Sequence, residues 1–157
     1  MRKPPGPATL YILNGPNLNL LGQREPHLYG STTLAQVEAL CRRVADEFDM
    51  RCEFRQTNHE GVMVDWVQEA REKAAAVIIN PAGLSFRSIP LLDALKTLCQ
   101  PLAEVHITNI HRREEMYQKS LVSLAATGVI CGFGPYGYEL AIRAVMERIA
   151  TQAPVSA

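Results

Sequence analysis

The run Ala76-Val77-Ile78-Ile79-Asn80 constrains the fold more than any other stretch of the chain. It is apolar without alternation, the mark of a strand buried on both faces, and such strands belong to parallel sheets covered by helices on each side. Leu10–Leu13, Leu102–Ile107 and Gly128–Cys131 are further strand-like runs, and Cys52–Gln56 alternates like an edge strand. Helical spacing fills the gaps between them. Thr33 caps a helix expected to run through Phe48, with Leu34, Val37, Leu40, Cys41, Val44 and Phe48 on one stripe. Gly61–Lys73 is a second helix, packing through Val64, Trp66, Val67 and Ala70. Ser88-Ile89-Pro90 opens a third, expected to end near Leu98, with proline placed where its missing N–H costs nothing. Tyr136–Ala150 closes the chain with Leu140, Ile142, Val145, Met146 and Ile149 as core candidates. Alternating βα units imply one α/β domain over residues 1–157, and five strands favour a flavodoxin-like parallel sheet of order 2-1-3-4-5 with helices on both faces. The ordered core is expected over about 9–150, with flexible ends at 1–8 and 151–157.

The stretch "LNGPNLNLLGQREPHLYG", Leu13 to Gly30, does not fit this economy of elements. So long a connection inside a compact domain is usually functional or disordered. Leu18, Leu20, Leu21 and Leu28 among its polar residues argue against disorder.

Charge and cysteine content narrow the function classes. Sixteen basic and 16 acidic residues cancel, so there is no bulk attraction to nucleic acid or to an anionic membrane. No apolar run reaches membrane-spanning length, and the N-terminal "MRKPPGPA" has no apolar core of a signal peptide. Cys41, Cys52, Cys99 and Cys131 form no C-x-x-C pair and lack zinc-ligand spacing, so they are expected to be reduced thiols in a cytoplasmic protein with no metal site.

In an open α/β sheet, ligands bind beyond the carboxyl ends of the strands at the point where strand order reverses. Asn14, Asn17, Arg24 and Tyr29 follow the first strand; Asn58, His59 and Glu60 the second; Asn80, Ala82, Gly83 and Ser85 the third; Thr108, Asn109, His111 and Arg113 the fourth. A phospho-receiver needs acids where this chain has Asn14 and Asn80, and "NGPNLNLL" is not a flavin phosphate loop. "GFGPYG" follows the last strand with the wrong spacing for a dinucleotide loop and reads as a turn. His106 on an apolar strand suits a packed core histidine as well as a catalyst. Glu104, two residues away, shares its face, and a carboxylate beside an imidazole fixes the tautomer and favours the cation. Asn14 and Asn80 suit strand-ending turns equally well. Arg24 and Tyr29, and most charges of "HRREEM", suit a solvated surface.

Four motifs decide among these readings. "LNGPNLNLLGQREPHLYG", "QTNHEG", "EVHITNIHRREE" and "GVICGFGPYGYELA", in this order over Leu10 to Ile149, closely resemble type II 3-dehydroquinate dehydratases. The resemblance implies the flavodoxin-like fold, a homo-oligomer built as a dodecamer of four trimers, and no metal or organic cofactor. The implied substrate is a cyclic hydroxy-ketone carboxylate, 3-dehydroquinate, which loses water by anti elimination through an enolate to give 3-dehydroshikimate. By the same resemblance the long loop is a lid, Tyr29 takes the proton α to the ketone, and Arg24 assists it. A free phenol is only about one part in a thousand ionised at neutral pH, a cost of roughly 4 kcal/mol that a nearby guanidinium lowers. Asn17 holds a water that stabilises the enolate oxygen. His106 protonates the departing C1 hydroxyl with Glu104 orienting it, as general acid catalysis requires. Asn80 and the backbone N–H groups of Ile107 and Thr108 bind the carboxylate and the C1 hydroxyl, and Arg113 supports the lid.

The chain also departs from the family. After the third strand the family reads N-P-G-A-x-T-H-T-S-x-A-L-R-D-A, and this chain reads "NPAGLSFRSIPLLDA". Phe86 stands in place of histidine, Arg87 of threonine and Leu92 of arginine, while Asp93, which in the family reaches in from a neighbouring subunit, is kept. Tyr117 replaces the second arginine of the H-A-R-E-x-F-R motif. The absent histidine and arginine are the family's contacts to the C4 and C5 hydroxyls, and each lost charge-assisted bond is worth roughly 1.5–3 kcal/mol. Three readings stay open: Arg87 and Tyr117 supply new donors for 3-dehydroquinate; the substrate is an analogue changed at C4 or C5; or the chain is a non-catalytic binding homologue. Retention of Asn17, Arg24, Tyr29 and His106 together weighs against the last.

Overall fold

The computed structural model describes residues 7–152, so the ends expected to be flexible lie mostly outside the described residues. Five strands and five α-helices follow in the order β1 (Thr9–Asn14), α1 (Pro26–Tyr29), α2 (Leu34–Asp46), β2 (Arg51–Gln56), α3 (Glu60–Lys73), β3 (Ala76–Asn80), α4 (Ile89–Leu95), β4 (Leu102–His106), β5 (Gly128–Cys131) and α5 (Tyr136–Gln152). The sheet is parallel throughout, in the order β2-β1-β3-β4-β5 expected from the sequence.

Strand geometry sends alternate side chains to opposite faces, and both faces are covered. Leu10, Ile12, Ile78 and Val105 pack with Val37, Cys41 and Val44 of α2 and Ile142 and Val145 of α5. Tyr11, Leu13, Val77 and Ile79 pack with Met63 and Val67 of α3 and Leu91 and Leu95 of α4. All of β3 is buried, and each of its large apolar side chains contributes roughly 1.5–3 kcal/mol.

Helix ends explain where the sequence reading overshot. At its start, α2 carries a complete capping box: Gln36 N–H donates to Thr33 Oγ1, and Gln36 Oε1 accepts from Thr33 N–H. It stops at Asp46 rather than Phe48, because Asp49 takes a left-handed conformation and Met50 N–H returns to the Ala45 carbonyl. That turn buries Met50 and leaves Phe48 38% exposed, outside the core it was assigned to. α4 ends at Leu95 rather than Leu98, where the Thr97 hydroxyl donates to the Ala94 carbonyl. α5 continues two residues past the expected Ala150.

Two connections depart from regular βα winding. The loop after β1 contains a 3-10 turn, Leu18–Leu20, and the single-turn α1. Between β4 and β5 the described residues form no α-helix; three 3-10 turns, Ile110–Arg112, Glu115–Tyr117 and Val122–Leu124, replace it. Val122 pins this crossover to the core, and Leu121 N–H donates to the Ser85 carbonyl. Both irregular connections overhang the same end of the sheet, which carries the site.

Candidate active site

A cavity of about 250 Å³ opens at the carboxyl ends of β1, β3 and β4, beside the place where strand order reverses. Its floor is built by close approach. Gly15 N–H donates to the Asn80 carbonyl, and a Cβ on Gly15 would stand 2.4 Å from the Pro81 carbonyl oxygen, so only glycine fits there. Asn14 and Asn80 face each other across β1 and β3 and are both buried. The fully buried Tyr138 of α5 joins them: its hydroxyl donates to Asn14 Oδ1 at 2.7 Å and accepts from Asn80 Nδ2 at 2.9 Å. Burial pushes the Tyr138 phenol up, which keeps it a neutral donor and acceptor. Asn14 also donates to the Arg55 carbonyl on β2, while Asn80 Oδ1 accepts from Ala82 N–H, so Asn80 is a strand-ending turn residue that lines the cavity and Asn14 is a cross-strand brace behind it.

The "QTNHEG" stretch braces the start of the long loop. Gln56 donates to the Gly15 carbonyl and to Asn58 Oδ1, which in turn accepts from Asn17 N–H at 2.9 Å. That frame holds Asn17 at φ 69°, a left-handed conformation asparagine tolerates, on the cavity wall. Glu60 accepts from the Ser88 hydroxyl and ties α3 to the start of α4.

On β4 the expected shared face is realised. His106 Nε2 donates to Glu104 Oε1 at 2.6 Å, with both side chains buried. Glu104 also accepts from the hydroxyls of Ser120 and Ser123 on the β4–β5 crossover. Burial alone would raise its carboxyl, but the hydrogen bonds from His106, Ser120 and Ser123 outweigh burial and hold it below the usual carboxylate range. Glu104 is therefore an anion that fixes the orientation of the imidazole beside the cavity that His106 lines.

Part of the long loop after β1 is a closed excursion between Gly22 and Ser31. Gly22 has φ 87° and a Cβ there would lie 2.9 Å from the Ser31 carbonyl oxygen, so the excursion's two ends nearly touch. Glu25 at φ 43° starts α1, which carries Tyr29 to the cavity. Arg113 Nη1 donates to the Tyr29 hydroxyl at 3.1 Å. Arg24 instead sits 5.7 Å from the Tyr29 ring centre and pairs with Glu25 at 3.4 Å. Phe86 stacks on His106 with centres 6.3 Å apart and meets Tyr117 edge-on at 5.4 Å.

Of the residues singled out by sequence, Asn17, Arg24, Tyr29, Asn80, Phe86, His106, Ile107, Thr108, Arg113 and Tyr117 line one cavity. Glu104 lies behind His106. Arg87 and Asp93 are exposed and outside the lining. Sequence reasoning missed Tyr138, Ser120 and Ser123. The signal for the serines was the buried carboxylate itself, because a charge on an apolar strand requires donors from elsewhere. For Tyr138 the signal was weaker: a phenol on the buried stripe of a helix needs a polar partner.

Fold and site together define a doubly wound α/β protein with a cavity overhung by a long loop, in which a phenol and an imidazole, each with a charged partner, face a common space. Residues 8–146 match the family described as dehydroquinase class II. The 3-dehydroquinate dehydratase 1 of Agrobacterium fabrum is 54% identical over 136 residues, covering 87% of this chain and 94% of that protein. The 3-dehydroquinate dehydratase of Rhizobium meliloti is 50% identical over 139 residues, covering 88% and 94%. The crystal structure of type II dehydroquinase from Propionibacterium acnes superposes with a TM-score of 0.84 at 40% identity, covering 92% of this chain and 99% of that one. The chain belongs to the class II dehydroquinase family.

Proposed function

We propose that the protein dehydrates 3-dehydroquinate to 3-dehydroshikimate. The observation that carries this reading is that Tyr29 and His106 line the same cavity, each already bonded to a charged partner, Arg113 and Glu104. The Tyr29 phenolate takes the proton α to the ketone, and the electron pair moves into an enolate. Arg24 and Arg113 keep positive charge beside the phenol, and a water held by Asn17 stabilises the enolate oxygen. Collapse of the enolate forms the new C=C bond and expels the C1 hydroxyl, which takes a proton from His106 and leaves as water. Glu104 holds the imidazole in the orientation this needs. Asn80, with the backbone of Ile107 and Thr108, binds the carboxylate end. In this reading the long loop closes over the site and excludes water from the phenolate. No step calls for a metal or an organic cofactor.

A homo-oligomer, a dodecamer built as four trimers, is part of this reading. It is supported by the exposed apolar side chains Leu124, Val129, Phe133 and Tyr136 on and around the edge strand β5, and by an exposed Asp93 available to a neighbouring subunit. A cytoplasmic site of action is supported by four cysteines that are all unpaired.

The decisive assay follows the conjugated enone of the product by ultraviolet absorbance with 3-dehydroquinate as substrate. Turnover that is lost in Tyr29→Phe and in His106→Ala supports the proposal. Phe86 and Tyr117 on the wall favour a second reading, a substrate of the same class changed at C4 or C5. A folded sample that leaves 3-dehydroquinate untouched but dehydrates such an analogue decides for that reading.

A further inference from the structure

We infer that Tyr117 is a positioning residue: its ring holds the Arg113 guanidinium on the hydroxyl oxygen of Tyr29. The role of Tyr29 rests on the function proposed above; the contact itself does not. Arg113 lies with its guanidinium carbon 4.2 Å from the centre of the Tyr117 ring while Nη1 reaches the Tyr29 oxygen at 3.1 Å.

The alternatives for holding Arg113 are weak. Glu114 is 3.9 Å from Nε and its side chain is 75% exposed, a loose, solvated pair. The Arg113 side chain is only 19% exposed, so its attraction to an aromatic face is poorly screened by water. Tyr117 is in turn propped edge-on by Phe86, whose other neighbour is His106. One wall of the cavity is thus a continuous chain of contacts from the loop phenol to the imidazole: Tyr29, Arg113, Tyr117, Phe86, His106. Arg24 cannot replace Arg113 at the oxygen in this arrangement, because it contacts the Tyr29 ring and pairs with Glu25. Two residues from the β4–β5 crossover therefore set the charge at an oxygen carried by the long loop. Guanidinium stacking needs an aromatic face and not a hydroxyl, so the ring of Tyr117 matters here and its oxygen does not.

The test combines steady-state kinetics with crystallography. Tyr117→Leu is expected to lower kcat about tenfold, the scale of one partly desolvated cation–aromatic contact, with KM nearly unchanged. Tyr117→Phe is expected to restore most of kcat. In an Arg113→Ala background, Tyr117→Leu is expected to have little further effect, since both changes remove one interaction. A rise in KM with kcat intact, equal damage from Phe and Leu, or additive losses with Arg113→Ala would each overturn the inference. Crystal structures of the two Tyr117 variants decide it independently of turnover. Arg113 should leave the Tyr29 oxygen in Tyr117→Leu and stay on it in Tyr117→Phe. A guanidinium still bonded to Tyr29 in Tyr117→Leu sinks the inference. If the unmodified protein fails to dehydrate 3-dehydroquinate, the substrate reading falls and the crystallographic comparison still judges this one.

Discussion

Tyr138→Phe removes one oxygen from the most enclosed polar cluster in the protein. The ring is fully buried and keeps its volume, so packing is unchanged and the whole effect is hydrogen bonding. Two bonds are lost, at 2.7 Å to Asn14 and 2.9 Å from Asn80. The partners are 0% and 3% exposed, so water cannot replace the hydroxyl. Each stranded group costs about 1–3 kcal/mol, and with both affected the expected destabilisation is roughly 2–6 kcal/mol. For a domain of this size that lowers Tm by about 4–24 °C. Tyr11→Phe is the matched control. It deletes the same atom, but Glu69 keeps Arg55 at 2.9 Å and stays partly solvated, so the loss should stay below about 1 kcal/mol. Both variants are unfolded by heat and by urea at one protein concentration, because self-association shifts Tm with concentration. Equal losses in the two variants would refute the claim that the Asn14–Tyr138–Asn80 cluster is dry. The Phe variant should also show a raised KM, because Asn80 lines the cavity.

Glu104→Gln should lower kcat by about 10²–10³ with little change in KM, since it removes the anion that orients the general acid and turns an amide N–H₂ toward a group that now donates to the carboxylate; an unchanged kcat in the ultraviolet assay would exclude that role. Gly15→Ala drives a Cβ to within 2.4 Å of a backbone oxygen that no rotamer can move, so a loss of at least about 2 kcal/mol is expected in urea unfolding, together with weaker turnover. The third concerns acid. Glu69 is held down to about 2 from an ordinary value of about 4.5, first by its hydrogen bond from Arg55 and then by that from Tyr11. A depressed carboxyl adds stability that is complete above its unfolded-state pKa and is lost as pH falls through the folded one, here between about 4.5 and 2. Partial exposure keeps the gain modest, and Glu69→Gln should flatten that limb of a Tm-against-pH curve; an unaltered limb would mean other carboxylates dominate it.

What the sequence determined by itself was everything that follows from local pattern. Unbroken apolar runs required strands buried on two sides, helical stripes supplied the covering layers, and the two together left one common sheet order. Spacing of two along β4 placed Glu104 and His106 on one face before any coordinates. Motif order identified the family. Element ends were less legible: α2 stops early because a left-handed Asp49 lets Met50 rather than Phe48 enter the core, a choice between two apolar residues that periodicity cannot make.

Tertiary structure alone decided which distant groups share an atom's reach. Tyr138 lies 124 positions from Asn14 and 58 from Asn80, yet one hydroxyl serves both. Ser120 and Ser123 reach Glu104 because the β4–β5 crossover is irregular, and a helix there would carry them elsewhere. Arg113, not Arg24, takes the Tyr29 oxygen, although Arg24 is only five positions away in sequence. The physical reason is the same in each case. Periodicity reports which face of its own element a side chain occupies, whereas hydrogen bonds and stacking are set to within about half an ångström by how separate elements and loops are packed together.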